Sequence, residues 1–186
     1  MYAIITDLDS QSKLKIEQIR SRTVKACGGD PVPLHWPLHL SWQGAESYDL
    51  AETEDRMRMI AKTVSPIVTR TAGVGVFTGP APVLYLPVTR TPELTALNET
   101  LWETLTPLAK NNNDYFSPDR WVPHVTIVYG TPEVTEAIAC MAGSLLTEPL
   151  NLEITLDHIY MGYFNEIDYG VAFRFPLLGK LDEAQP

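Results

Sequence analysis

The sequence predicts an α+β protein, on three observations. Strand-like runs occur in both halves of the chain, amphipathic helix patterns lie between them, and no strand–helix–strand repeat is long enough for a doubly wound parallel sheet. Leu94, Leu97, Leu101, Leu105 and Leu108 recur at spacings of three and four, the clearest helical stripe. Leu150, Leu152, Ile154, Leu156, His158 and Tyr160 recur at two, the clearest strand face.

Taken in order, residues 2–8 read as a buried first strand. Asp9 or Ser10 then caps a helix carrying Ile16, Ile19, Thr23 and Ala26/Cys27, and Gly28-Gly29 ends it in the left-handed region. Residues 31–37 are too rich in proline for a ladder and form a loop. That loop feeds the run Leu38-His39-Leu40-Ser41-Trp42-Gln43-Gly44, which reads as a strand. A second helix spans about 50–64, with Leu50, Met57, Ile60 and Val64 inward and its acids in the first turns. Residues 67–77 and 83–89 read as strands joined by a stiff Gly-Pro turn. Gly73-Val74-Gly75 lacks the spacing and following helix of a phosphate loop and reads as strand with close backbone approach.

Thr91-Pro92-Glu93 and Thr131-Pro132-Glu133 are matching helix starts: a capping hydroxyl, a proline at the first turn and an acid facing the dipole. The second of these helices, near 132–146, carries Val134, Ile138, Met141 and Leu145 inward. Between the helices, Asn111-Asn112-Asn113-Asp114 breaks the chain, and a loop with Arg120, read as a surface charge, leads to Pro123-His124-Val125-Thr126-Ile127-Val128-Tyr129-Gly130. After 150–160, a turn near 165–168 precedes a last strand with Val171, Phe173 and Phe175 on one side, and the final residues fray.

Composition narrows the function. A hydrophobic share of 45% and a charged share of 20% are those of a soluble globular chain. A net charge of −9 argues against a long non-specific footprint on nucleic acid and leaves room for a small local basic pocket. Cys27 and Cys140 are too few for a disulfide framework and have no metal-ligand spacing, so reduced thiols are expected. The first residues lack a signal peptide's basic segment, and no apolar run approaches membrane-spanning length. These readings point to a cytoplasmic protein with no membrane partner.

The two motif strands carry the chemistry. Each holds a histidine followed two positions on by a hydroxyl residue, so period two puts His39 with Ser41, and His124 with Thr126, on one face each. Leu40 and Val125 point the other way, into a core. Imidazole titrates near neutrality and can act as base in one copy and acid in the other. Hydroxyls can donate to the developing charge on a phosphate. His35, in the loop, and His158, at the end of an apolar face, read as peripheral or structural.

His39-Leu40-Ser41 and His124-Val125-Thr126 resemble the paired His-x-Thr/Ser motifs of the 2H phosphoesterase superfamily, within it the 2′-5′ RNA ligase-like or cyclic phosphodiesterase group. The resemblance runs over most of the chain. Ser41 stands where Thr is commoner, and Tyr129 where some relatives carry a basic residue. The resemblance implies a single bilobal domain over 1–186, with two similar antiparallel-rich sheets backed by helices around a central cleft and one motif per lobe. It further implies hydrolysis of 2′,3′-cyclic phosphate or 2′-5′ bonds in nucleotides or short RNA ends. His39 and His124 would be the catalytic acid and base, Ser41 and Thr126 would bind substrate, and no metal or cofactor would be needed. The expected partner is a small nucleotide or RNA end, and the expected state a monomer. A non-catalytic phosphate-binding module and a metal hydrolase using His35, His39, His124 and an acid as ligands are the alternatives.

Overall fold

The computed structural model describes residues 1–28, 38–131, 135–164 and 169–179. Its strands are β1 (Tyr2–Asp7), β2 (His39–Tyr48), β3 (Ile67–Arg70), β4 (Gly75–Phe77), β5 (Val83–Pro87), β6 (Ala109–Asn112), β7 (His124–Tyr129), β8 (Glu153–Leu156), β9 (His158–Phe164) and β10 (Tyr169–Pro176). Its helices are α1 (Ser10–Ala26), α2 (Leu50–Thr63), α3 (Pro92–Leu105) and α4 (Thr135–Leu145). Short 3₁₀ turns cover Thr106–Leu108 and Asp114–Phe116.

α1 and α3 begin where the capping residues predict, and Asp49, not foreseen as a cap, starts α2. Asp9 accepts from the Ser12 amide at 2.9 Å, Asp49 from Glu52 at 3.2 Å and Thr91 from Leu94 at 3.2 Å. Gly28, at φ +93°, ends α1. Pro132, Glu133 and Val134 of the expected second helix start, the 31–37 loop with His35, the turn at 165–168 and the terminal residues beyond Gly179 lie outside the described residues.

The α+β class holds. An eight-stranded antiparallel sheet runs β10-β9-β1-β2-β7-β5-β4, with β6 also on β2, and β3 and β8 form a small second sheet. The large sheet consists of two antiparallel halves. One is β10-β9-β1-β2 with β6, the other β7-β5-β4, and they join at the register pair Leu40↔Val125. α1 lies against α4 and α2 against α3. Leu40, Trp42, Leu84, Leu86, Val125 and Ile127 turn one sheet face toward Ile16, Met57, Leu94 and Leu101 of the helices, and all are fully buried or nearly so. The opposite face carries the motif hydroxyls and imidazoles.

Several expectations are corrected. Residues 67–77 are two strands in different sheets, because Gly73 at φ +83° breaks the run. The period-two run of 150–160 is likewise split at Asp157, so β8 pairs with β3 and β9 with β1. Asn111 and Asn112, read as a break, belong to β6 on the edge of β2, with Asn111 at φ +52°. Leu50, the first residue of α2, is exposed rather than inward. In β10 a bulge between Val171 and Phe173 reverses the pleat, so Phe173 and Phe175 meet the core while Val171 is exposed. Cys27 and Cys140 are not free thiols; they form a disulfide that ties the end of α1 to α4.

Candidate active site

The Leu40↔Val125 pair determines how the two motifs meet. Strands are antiparallel here, so continuing the register by one residue each way sets His39 beside Thr126 and Ser41 beside His124. All four point away from Leu40 and Val125, which are fully buried. The two imidazoles therefore occupy diagonal positions on one face, a spacing of about 7–8 Å between residues in a regular ladder. Each half of the sheet contributes one motif, and the motifs meet at the seam. His39, Ser41 and His124 are half-buried and Thr126 is buried.

The sheet extends these positions into two rows. One is Tyr85–Thr126–His39–Asp7, since Tyr85 pairs with Thr126 and Asp7 with His39. The other is Pro87–His124–Ser41–Ile5–Tyr160–Arg174. Ile5 and Tyr160 are buried yet stand outside the hydrophobic cluster that holds Ile4, as alternation requires.

His124 is oriented by its neighbours. Its Nδ1 lies 2.7 Å from the Val122 carbonyl oxygen. A carbonyl only accepts, so Nδ1 carries the proton and Nε2 is left for other chemistry. The ring meets Phe77 edge-on at 4.9 Å and Tyr85 at 5.1 Å between centroids. Phe77 and Tyr85 stack on each other at 4.1 Å. Tyr85 can lie down because residue 75 is glycine: a Cβ there would fall 2.5 Å from the Tyr85 ring. Burial pushes the His124 pKa below the ordinary histidine value, against the smaller upward pull of the Val122 hydrogen bond. A neutral imidazole with a bare Nε2 is a proton acceptor.

A β-bulge shapes the far side of β7. Leu84 pairs with Val128 and Tyr85 with Thr126, leaving Ile127 as the extra residue. Ile127 and Val128 are both fully buried, and Tyr129 turns out to solvent, 44% exposed, across from Val83. Strict alternation from Thr126 would have sent Tyr129 into the core.

On the other flank, Asp7 receives the Tyr160 hydroxyl at 2.6 Å, Lys13 Nζ at 3.0 Å and Arg174 at 3.2 Å. Burial alone would raise the Asp7 pKa, but these partners outweigh it and hold the carboxyl below its ordinary value. The Arg174 guanidinium lies over the Tyr160 ring at 5.5 Å.

The predicted set His39, Ser41, His124 and Thr126 thus gathers on one face. His158, two residues before Tyr160 at the start of β9, shares that sheet face two strands from His39, with its ring against the neighbouring Asp157 carboxylate. Arg120 lies over the Tyr115 ring at 4.9 Å, away from the motif face's rows. Sequence reasoning missed the Phe77–Tyr85 wall and the Asp7 cluster. Both depend on strand register, and the one visible signal was the close approach expected near Gly75. Among the described residues, no three His, Cys, Asp or Glu side chains group as metal ligands.

An antiparallel α+β fold with paired His-x-Ser/Thr strands side by side on one face defines a class, the two-histidine phosphoesterases. The family model of the 2′-5′ RNA ligase superfamily matches residues 8–166, and the chain belongs to that family, within the 2H phosphoesterase superfamily. Among solved structures it is similar in fold to TT0787 of Thermus thermophilus, at 17% identity over 96% of this chain and 98% of that one, with a TM-score of 0.66. Escherichia coli LigT in its apo form matches at 18% identity over 94% and 95%, TM-score 0.62. Kluyveromyces marxianus Usb1 matches at 12% over 95% and 97%, TM-score 0.56. No curated protein matches the sequence. The family is one of phosphoesterases and RNA ligase-like enzymes, so phosphodiester chemistry is the class of function it supports.

Proposed function

We propose that the protein is a metal-independent phosphodiesterase that hydrolyses 2′,3′-cyclic phosphate or 2′-5′ bonds of nucleotides or short RNA ends. The observation that carries this reading is the Leu40↔Val125 pairing, which makes neighbours of two motifs far apart in sequence. His124 is the base, because its Nδ1 proton is held by the Val122 carbonyl and burial favours the neutral ring. Its Nε2 takes a proton from water as the water oxygen bonds to phosphorus. The bond from phosphorus to the ribose oxygen breaks, and that oxygen receives a proton from His39. Ser41 and Thr126 donate to the non-bridging oxygens, where charge builds. Exchange of protons with solvent then restores both rings. Crystal structures of E. coli LigT hold 3′-AMP and phosphate, ligands of the chemistry proposed for this chain.

Residues 1–186 act in this reading as one bilobal, monomeric unit, without cofactor, membrane or long nucleic-acid partner. No helix among the described residues is long and apolar enough to cross a membrane. The Cys27–Cys140 disulfide removes the thiol argument for a reducing, cytoplasmic setting.

The test is a turnover screen on nucleoside 2′,3′-cyclic phosphates, 2′-5′ dinucleotides and ADP-ribose cyclic phosphate, with a chelator present throughout. Turnover that survives the chelator is the expected result. Binding of nucleotides without turnover of any of them would instead make the protein a phosphate-binding module, and loss with chelator a metal hydrolase.

A further inference from the structure

The Asp7 cluster lies one strand from His39 and has no part in the proton transfers above. Asp7 is the direct Cα partner of His39 across β1 and β2. Around its single carboxylate stand two cations, Lys13 from α1 and Arg174 from β10. The cluster therefore carries a net positive charge beside the site of a chain whose net charge is −9. The carboxylate is occupied from three sides, by Lys13, Arg174 and the buried Tyr160 hydroxyl. Both cations remain reachable: the side chain of Lys13 is 31% exposed and that of Arg174 is 44% exposed. A guanidinium has five N–H donors and an ammonium three, more than one carboxylate can accept. Arg174 cannot swing freely, because it is held between Asp7 and the Tyr160 ring. Fixed, partly desolvated, cationic donors with hydrogens to spare are what a phosphate group needs.

Their position says which phosphate. This step rests on the proposed reaction, in which His39 protonates the departing ribose oxygen. In a cyclic phosphate that oxygen belongs to the nucleoside, so the ribose lies on the His39 side of the reacting phosphorus. The ribose continues toward β1, β9 and β10, where the next anion it carries is its 5′-phosphate. We propose that Lys13 and Arg174, pinned by Asp7, form a second phosphate subsite, and that the preferred substrates are cyclic-phosphate ends bearing a 5′-phosphate.

The experiment compares uridine 2′,3′-cyclic phosphate with its 5′-phosphorylated form, by kcat/KM, in the wild-type protein, in Arg174→Gln, in Lys13→Gln and in the double variant. A charge-assisted contact of this kind is worth about a tenfold preference or more. The expected result is that the wild-type protein prefers the 5′-phosphorylated substrate by about that factor. Each single variant loses most of the preference, the double variant loses all of it, and Arg174→Lys restores part. A parallel calorimetric titration with uridine 3′,5′-bisphosphate and uridine 3′-monophosphate needs no turnover and no variant. Equal affinity for the two in the wild-type protein, or a preference that survives the double substitution in folded protein, would overturn the subsite. Tighter binding of the bisphosphate without turnover of either cyclic phosphate would leave the subsite standing and remove the proposed reaction.

Discussion

His124 holds its ring by two means that no single-residue property reveals. The Val122 carbonyl sets the tautomer, and the stacked pair Phe77 and Tyr85 excludes water from one side. Replacing His39 or His124 by Ala lowers turnover by about 10²–10⁴, the usual range for an acid or base. His158→Ala, two strands from His39 on β9, costs far less, and steady-state kinetics on a cyclic nucleotide will separate it from the other two. Thr126→Val lowers kcat by about 10²-fold with little change in ground-state affinity, because its hydrogen bond strengthens as charge develops. The pH profile follows from burial. With His124 as the proposed base, its depressed pKa places the acid limb of kcat/KM below about 6.5. Tyr85→Ala lets water reach the ring and moves that limb upward, toward the ordinary value. A limb that stays in place would show that Tyr85 does not set the environment of the base.

Among the strands and helices, bulges and a crosslink do what alternation cannot. The extra residue Ile127 lets β7 bury Ile127 and Val128 in succession and still return Tyr129 to solvent. The bulge in β10 sends Phe173 and Phe175 to the core while Arg174 between them reaches the site face. The disulfide joins α1 and α4 through cysteines separated by 113 residues in sequence. Closing so long a loop restricts the unfolded chain, so Cys27→Ser with Cys140→Ser lowers unfolding free energy by about 2–4 kcal/mol. Urea unfolding of the double variant against the wild-type protein measures this, and reductant brings the wild-type value down to that of the variant.

For the molecule as a whole, Asp7 is the joint of the first half-sheet, because its carboxylate gathers α1, β9 and β10 onto β1. Its pKa is lower in the folded protein than in the unfolded chain. That difference stabilises the fold fully above the unfolded value and is lost as pH falls through the folded one. Asp7→Asn therefore costs stability at neutral pH, by about 1–2 kcal/mol since both cations are partly solvated. The deficit shrinks in acid below the ordinary aspartate range. Thermal melts of the two proteins at neutral pH and near pH 3 will show the gap narrowing.

The features legible in the chain before any fold was in view are local ones. They are the caps at Asp9 and Thr91, the leucine stripe of α3, the outward pairing of each histidine with its hydroxyl, and so the α+β class. These depend on neighbours within a turn or a pleat, and period and capping chemistry record them directly. Everything that depends on which strand lies beside which came from the folded arrangement instead. Only the fold brings Leu40 to Val125, splits 150–160 between two sheets, and carries Arg174 to Asp7 and Cys27 to Cys140. Such pairings join residues far apart in the chain, and one added residue in a strand, as at Ile127, reverses every side chain beyond it. Register is a property of two segments at once, so neither segment's sequence contains it.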